Sequence, residues 1–152
     1  VSDRPNWHEY FMAICDQVAL RSTCDRKHVG AVIVDEENHI LASGYNGTLP
    51  GQPHCNEVNH YMENGHCTNV LHAEINVVAH AAKRGICLRG TTLYCNVLPC
   101  WNCAKVIAAA GIKRVIFRET YGADPRVFDI LFIQRLDQAV EYDNQWKGDF
   151  DK

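Results

Sequence analysis

A three-layer α/β/α sandwich is the fold class this sequence predicts, on two observations. Helix-like and strand-like segments alternate along most of the chain, the pattern of helices covering both faces of a sheet. The chain has 152 residues, 47% of them hydrophobic and 22% charged, which suits one domain over 1–152. A domain of that size buries about two-thirds of its unfolded surface, so no disulfide or metal is needed to compensate for a thin core.

The elements follow in order. Asn6 followed by Glu9 reads as a capping box, and Trp7, Tyr10, Phe11, Ile14, Val18 and Ala19 recur at helical spacing, predicting a helix over about 7–22. Apolar runs at 29–34 and 40–45 flank the turn-like Asp35-Glu36-Glu37-Asn38, predicting a hairpin. Residues 46–70 are rich in Gly, Pro, Asn and His without apolar periodicity, and connections of that length are uncommon unless functional or stapled. A helix over 72–84 ends at Gly85 as its C′ residue, and 91–97 reads as a strand. Pro99 opens the next helix as a first-turn proline, and that helix runs to Gly111. A strand at 114–117, a helix around 125–136 and a short strand near 139–142 complete the alternation, with 144–152 as a peripheral tail.

Charge and hydropathy narrow the function classes. The formal net charge is −3 and the pI about 6.2, which argues against a broad electrostatic grip on nucleic acid or an anionic membrane and leaves a small anionic ligand open. No apolar run approaches the roughly 20 residues of a transmembrane span, and Val1-Ser2-Asp3-Arg4-Pro5 has no signal-peptide core, so a cytoplasmic location is expected.

Eight cysteines and eight histidines are the strongest compositional signal. In a reducing compartment, spaced Cys/His sets read as metal sites rather than disulfides. Cys15, Cys87 and Cys95 sit in apolar patterns and read as buried hydrophobes, and His8, His28, His39 and His80 as surface or packing residues. Cys24, Cys55, Cys67, Cys100 and Cys103 fall at element ends or in polar loops. Two of these, in Pro99-Cys100-Trp101-Asn102-Cys103, lie three apart on a first helical turn, where the helix N-terminus favours thiolates. With His72 they make three protein ligands and leave a fourth position open, the coordination of catalytic zinc. Glu74, two residues beyond His72, can reach a water at that position without ligating the metal, as a proton shuttle needs.

His-x-Glu followed by Pro-Cys-x-x-Cys is a known signature of zinc nucleobase deaminases. On these residues the sequence resembles the cytidine deaminase superfamily, and more closely its deoxycytidylate (dCMP) deaminases. Further similar pieces are Glu9-Tyr10-Phe11-Met12, Arg21-Ser22-Thr23-Cys24, Val29-Gly30-Ala31-Val32-Ile33-Val34, Gly44-Tyr45-Asn46-Gly47, Ala108-Ala109-Ala110-Gly111-Ile112-Lys113 and Glu119-Thr120-Tyr121. The resemblance implies a mixed five-stranded sheet between helical layers, hydrolysis of dCMP to dUMP and ammonia, and a homohexamer. It also implies activation by dCTP with Mg²⁺ and inhibition by dTTP.

Carried over by motif, His72, Cys100 and Cys103 hold catalytic Zn²⁺, and Glu74 takes a proton from the attacking water and delivers it to ring N3 and then to the departing ammonia. Ala73 offers a backbone N–H to the base. Asn46 binds sugar or phosphate, or merely shapes an Asn-Gly turn; Tyr121 packs on the pyrimidine, or is an ordinary half-buried tyrosine. Gly44, Asn46 and Gly47 could instead serve an allosteric nucleotide. Arg26, Lys27 and Arg118 are the candidate phosphate partners. Cys24, Cys55, His60 and Cys67, with His54 or His66 as substitutes for His60, form a four-ligand set that would staple the long loop with a second, structural zinc. Three other readings stay in view: a deaminase acting on bases in nucleic acid, a non-catalytic zinc-stabilised binding module, and a thioredoxin-like Cys100/Cys103 pair. The absence of a basic stripe weighs against the first, Glu74 against the second, and His72 with Glu74 against the third.

Overall fold

A computed structural model describes residues 3–147. The helix α1 (Trp7–Ala19) is started by Asn6, whose side chain accepts a hydrogen bond from the Glu9 N–H at 2.9 Å. It stops three residues short of the expected Ser22, because the Ser22 hydroxyl bonds instead to the Asn46 carbonyl at 2.9 Å and draws the chain toward the loop beyond the hairpin. The hairpin forms as expected from β1 (Gly30–Val34) and β2 (Ile40–Tyr45). The long connection is not structureless: it holds a one-turn helix α2 (Cys55–Val58) and a tiny hairpin of β3 (Met62–Glu63) and β4 (His66–Cys67).

Beyond it come α3 (Ala73–Lys83), β5 (Thr92–Val97), α4 (Trp101–Ala109) and β6 (Arg114–Glu119). Cys100 is the N-cap of α4, with extended backbone, so Pro99 lies just outside the helix rather than in its first turn. The C-terminal part reverses the expected order. Only α5 (Val127–Ile130) is helical in the segment expected as a long helix, and β7 (Phe132–Arg135) follows. The expected strand at 139–142 lies inside α6 (Leu136–Lys147). Burial explains the exchange: Leu136, Ala139, Val140 and Asp143 turn inward at helical spacing, whereas Ala139-Val140-Glu141-Tyr142 alone is too short to show that period. Of the segment read as a peripheral tail, 144–147 close α6 and 148–152 lie outside the described residues, as do the first two residues of the chain.

The main sheet has five strands in the order β2-β1-β5-β6-β7, with β1 antiparallel to both neighbours and β5, β6 and β7 parallel. It is therefore mixed, as expected. Helices α1 and α6 cover one face, and α3 and α4 the other. The two cores divide the sheet residues by period two: Ala31, Ile33, Leu93 and Cys95 meet Val77, Ala81 and Ile107 on the α3/α4 side, while Val32, Val34 and Tyr94 meet Phe11, Met12 and Ala139 on the other. Burial on both faces is why β1 reads as a continuous apolar run rather than an alternating one. Among the described residues no helix is long and apolar enough to cross a membrane.

Candidate functional site

The N-termini of α3 and α4 meet beside the end of β5, and this junction assembles the first ligand group. His72 caps α3 and Cys100 caps α4, with Cys103 one turn further on. The Cys100 and Cys103 sulfurs lie 3.6 and 3.3 Å from His72 Nδ1. A tetrahedral zinc with Zn–S about 2.3 Å and Zn–N about 2.1 Å has donor-to-donor edges of roughly 3.6–3.8 Å, so the three donors fit such an ion with little adjustment. Hydrogen bonding from Cys103 holds the Cys100 thiol down at about 3, with His72 adding to the effect, while the same bond and burial push Cys103 up. Cys100 is therefore the readier thiolate of the two. His72 is held above its usual value, chiefly by its hydrogen bond with Cys100.

Glu74 stands in the first turn of α3, 5% exposed, and is not part of the ligand group. Burial raises its pKa above the ordinary carboxylate value, against a hydrogen bond from its own backbone N–H and the nearby His72. A carboxyl poised this way exchanges a proton more easily than a solvated one.

Glu74, Ala73, His72 and Cys100 line a cavity of about 110 Å³ whose other walls include Arg26, Lys27, Asn46, His66, Leu98 and Tyr121. Ala73 is fully buried and opens α3, so its N–H belongs to the turn that a helix leaves without an internal acceptor. The Asn46 side chain accepts from the Val29 N–H at 2.9 Å and donates to the Lys27 carbonyl at 2.7 Å. It thus shapes the cavity wall while lining it. Asn96, which the sequence reading passed over, makes a matching pair of backbone bonds from β5, accepting from the Gly30 N–H and donating to the His28 carbonyl, both at 3.1 Å, without lining the cavity itself. A polar Asn inside an otherwise apolar strand was the available signal. Tyr121 is 55% exposed at the rim, with the Lys27 ammonium 4.7 Å above its ring.

Several expected residues lie elsewhere. Arg118 is turned to Asp16 in a two-pronged ion pair at 2.6 and 2.7 Å and does not line the cavity, so of the three candidate phosphate partners the structure leaves Arg26 and Lys27 there. Neither Gly44 nor Gly47 lines it: Gly44 packs on α3, and Gly47 pairs with Leu71 across the loop. Cys15 and Cys95 are buried as expected, but Cys87 is exposed, because Leu88 takes the inward position on the loop after α3. His8 is buried between Tyr94 and Asp143, and His80 bonds the Ser43 carbonyl.

Cys24, Cys55, His60 and Cys67 form a second ligand group, their donor atoms all within 4.8 Å of one another. The Cys55 and Cys67 sulfurs are 3.6 Å apart, and His60 Nδ1 is 3.7 Å from Cys24 Sγ. Cys24, Cys55 and Cys67 are all free thiols, and the 3.6 Å between Cys55 and Cys67 is far beyond a disulfide bond. His60 Nε2 is 2.8 Å from the Asp25 carboxylate, the outer partner that fixes an imidazole for metal binding through its other nitrogen. Burial pushes Cys55 up to about 12, whereas Cys67, despite burial, is drawn to about 7 by hydrogen bonds led by His60. His54 and His66 are not in this group.

Comparison with known proteins places the chain in a family. The family model described as "Cytidine and deoxycytidylate deaminase zinc-binding region" matches residues 5–119, and the chain belongs to that family. Among individual proteins, it is 41% identical over 123 residues to ComE operon protein 2 of Bacillus subtilis, covering 81% of this chain and 65% of that protein. It is 36% identical over 136 residues to deoxycytidylate deaminase of Saccharomyces cerevisiae, covering 84% of this chain and 42% of that one. The chain thus spans under two-thirds of the length of these curated relatives. The crystal structure of dCMP deaminase from the cyanophage S-TIM5 in complex with dCMP and dUMP superposes with a TM-score of 0.74 at 32% identity, over 87% of this chain and 98% of that one.

Proposed function

We propose that this chain catalyses the hydrolytic deamination of dCMP to dUMP and ammonia, with zinc held by His72, Cys100 and Cys103. The observation that carries this reading is Glu74, buried beside that three-donor group at the end of a cavity whose outer wall holds Arg26 and Lys27. A purely structural zinc gains nothing from a buried carboxylate beside an open ligand position. The cyanophage relative, crystallised with dCMP and dUMP, supports the nucleotide class.

Zinc, when bound, supplies the Lewis acidity that makes water acidic enough to lose a proton near neutral pH. Glu74 takes that proton as oxygen attacks C4 of the cytosine, and delivers it to N3. The proton of the hydroxyl now on C4 then goes through Glu74 to the amino group, the C4–N bond breaks, and ammonia leaves as the uracil carbonyl forms. In this reading the Ala73 N–H orients the base, Tyr121 covers it, and Asn46 holds the wall against which the sugar lies. Arg26 and Lys27 supply positive charge for the phosphate.

A second, structural zinc on Cys24, Cys55, His60 and Cys67 belongs to the same proposal, supported by four donors within 4.8 Å of one another and by the Asp25 partner of His60. So do control by dCTP with Mg²⁺ and by dTTP, assembly as a homohexamer, supply of dUMP for thymidylate synthesis, and action in the cytoplasm, the host's if the chain is phage-encoded; these rest on the resemblance to dCMP deaminases. The test is the rate on dCMP beside deoxycytidine at equal concentration, followed by the ultraviolet change from cytosine to uracil. A strong preference for dCMP is expected. Equal rates would mark a nucleoside deaminase, and turnover of neither, even with dCTP and Mg²⁺, would point to single-stranded nucleic acid or to a binding module.

A further inference from the structure

We propose that His66 binds the phosphate-bearing end of the substrate and that the Cys24, Cys55, His60, Cys67 group sets its position. This inference rests on the deaminase reading above. It starts from the smallest sheet in the molecule. In the β3–β4 hairpin, Glu63 pairs with His66 and Met62 with Cys67, and the two residues between them, Asn64 and Gly65, have φ of 50° and 78°. Two consecutive left-handed residues make the tight turn whose twist matches the flanking strands and which fixes a single register. Side chains alternate across a strand, so His66 and Cys67 must face opposite ways.

Both residues border the cavity, but only Cys67 belongs to the four-donor group. Cys67 is buried, 3.6 Å from Cys55 Sγ, within the four-donor group. His66 is exposed and lines the cavity that ends at Glu74, with its ring centroid 5.6 Å from that of His72. Arg26 and Lys27 are the other basic side chains of that wall, whereas the acidic Glu74 lies deep and buried. An imidazole donor at the open end, beside two cations, suits an anionic oxygen of a nucleotide rather than its base.

A hairpin of four paired residues has little stability of its own in water. Its local ties are the Thr68 N–H and hydroxyl on the Tyr61 carbonyl, at 2.7 and 2.9 Å, and the Asn69 side chain on the Asn59 carbonyl at 2.9 Å. All of them lie within the loop. Cys24, in the segment between α1 and β1, is the member of the four-donor group that anchors the hairpin to the rest of the domain. Filling that group with a metal ion therefore sets where His66 stands, and the second ligand group governs substrate affinity without touching the chemistry.

The test compares wild type, His66→Ala, His66→Gln, Cys55→Ser and the double variant H66A/C55S, all zinc-loaded. It measures zinc per chain, dUMP binding by calorimetry, and kcat and KM for dCMP and for deoxycytidine. H66A is expected to keep the wild-type zinc content, weaken dUMP binding and raise KM for dCMP about tenfold, with kcat altered less than about twofold and deoxycytidine kinetics unmoved. H66Q, which retains a donor, recovers part of the loss. C55S is expected to lose one zinc, to speed amide exchange over 62–67, and to weaken dUMP binding by the same factor, with the double variant no worse than C55S. Should C55S not fold, His60→Asn carries the same expectation. Wild-type dUMP affinity in H66A, or losses that multiply in the double variant, would overturn the inference while leaving the deaminase reading intact. Wild-type protein that neither binds dUMP nor turns over dCMP overturns both.

Discussion

Gly44 of β2 and Val77 of α3 meet backbone to backbone: a Cβ built on Gly44 would stand 2.7 Å from the Val77 nitrogen and 2.9 Å from its Cα. Those are main-chain atoms of a helix, so no side chain can swing aside to make room. The contact fixes the height of α3 above the sheet, and His72 and Glu74 ride on the first turn of that helix. Gly44→Ala is expected to cost about 1–3 kcal/mol through overpacking, read as a lower urea midpoint, and to lower kcat because the displacement reaches Glu74. An unchanged midpoint would show that α3 lifts from the sheet freely.

Removing the Glu74 carboxylate separates metal binding from chemistry. Glu74→Gln keeps the shape of the side chain and, since Glu74 is outside the ligand group, leaves zinc content and fold unchanged. Loss of a general acid and base predicts a fall in kcat of about 10²- to 10⁴-fold. Turnover near wild type, with zinc retained, would remove Glu74 from the mechanism.

The elements that sequence placed well are those whose signals are local. The Asn6 cap, the hairpin at 30–45 and the spacing of His72, Cys100 and Cys103 depend on residues a few positions apart or on helix starts that a cap defines. What escaped depends on partners far along the chain. Arg118 looked like a phosphate ligand because nothing near it in sequence announces Asp16, 102 residues away. β7 and α6 were exchanged because Phe132 to Tyr142 contains two short apolar runs, and only pairing with β6 decides which one is the strand. The facing of His66 toward the cavity follows from a two-residue turn, visible as Asn64-Gly65 but uninformative until the register is known.

Metal content tests the two ligand groups independently. Two zinc ions per chain are expected, and Cys55→Ser should leave one. Loss of a structural ion that ties the long loop to the segment after α1 predicts a lower thermal midpoint and protease cutting within 46–70. Chelators that strip the catalytic group first should abolish turnover before the loop opens, because that group has three protein donors and the other four. A fully active protein with one zinc per chain would refute the second site.

Acid stability is set in part by a cluster on the far side of the sheet. His8 joins the Tyr94 hydroxyl and the Asp143 carboxylate, both at 2.6 Å, and Arg114 lies 3.2 Å from the other Asp143 oxygen. Burial pushes the Asp143 carboxyl up, but the His8 hydrogen bond and the Arg114 charge outweigh it and hold the group below its ordinary 3.8. Between the two values the unfolded chain binds more protons than the folded one, so stability rises with pH there. The contribution is complete from about pH 5 upward, above the unfolded value, and is lost as pH falls through the lower, folded value. Asp143→Asn should therefore lower stability at neutral pH, since it weakens the tie between α6 and α1, and should flatten the decline below about pH 5. Urea midpoints taken from pH 3 to 7 check this, and wild-type and variant curves that run parallel across the acid range would show that Asp143 carries no part of it.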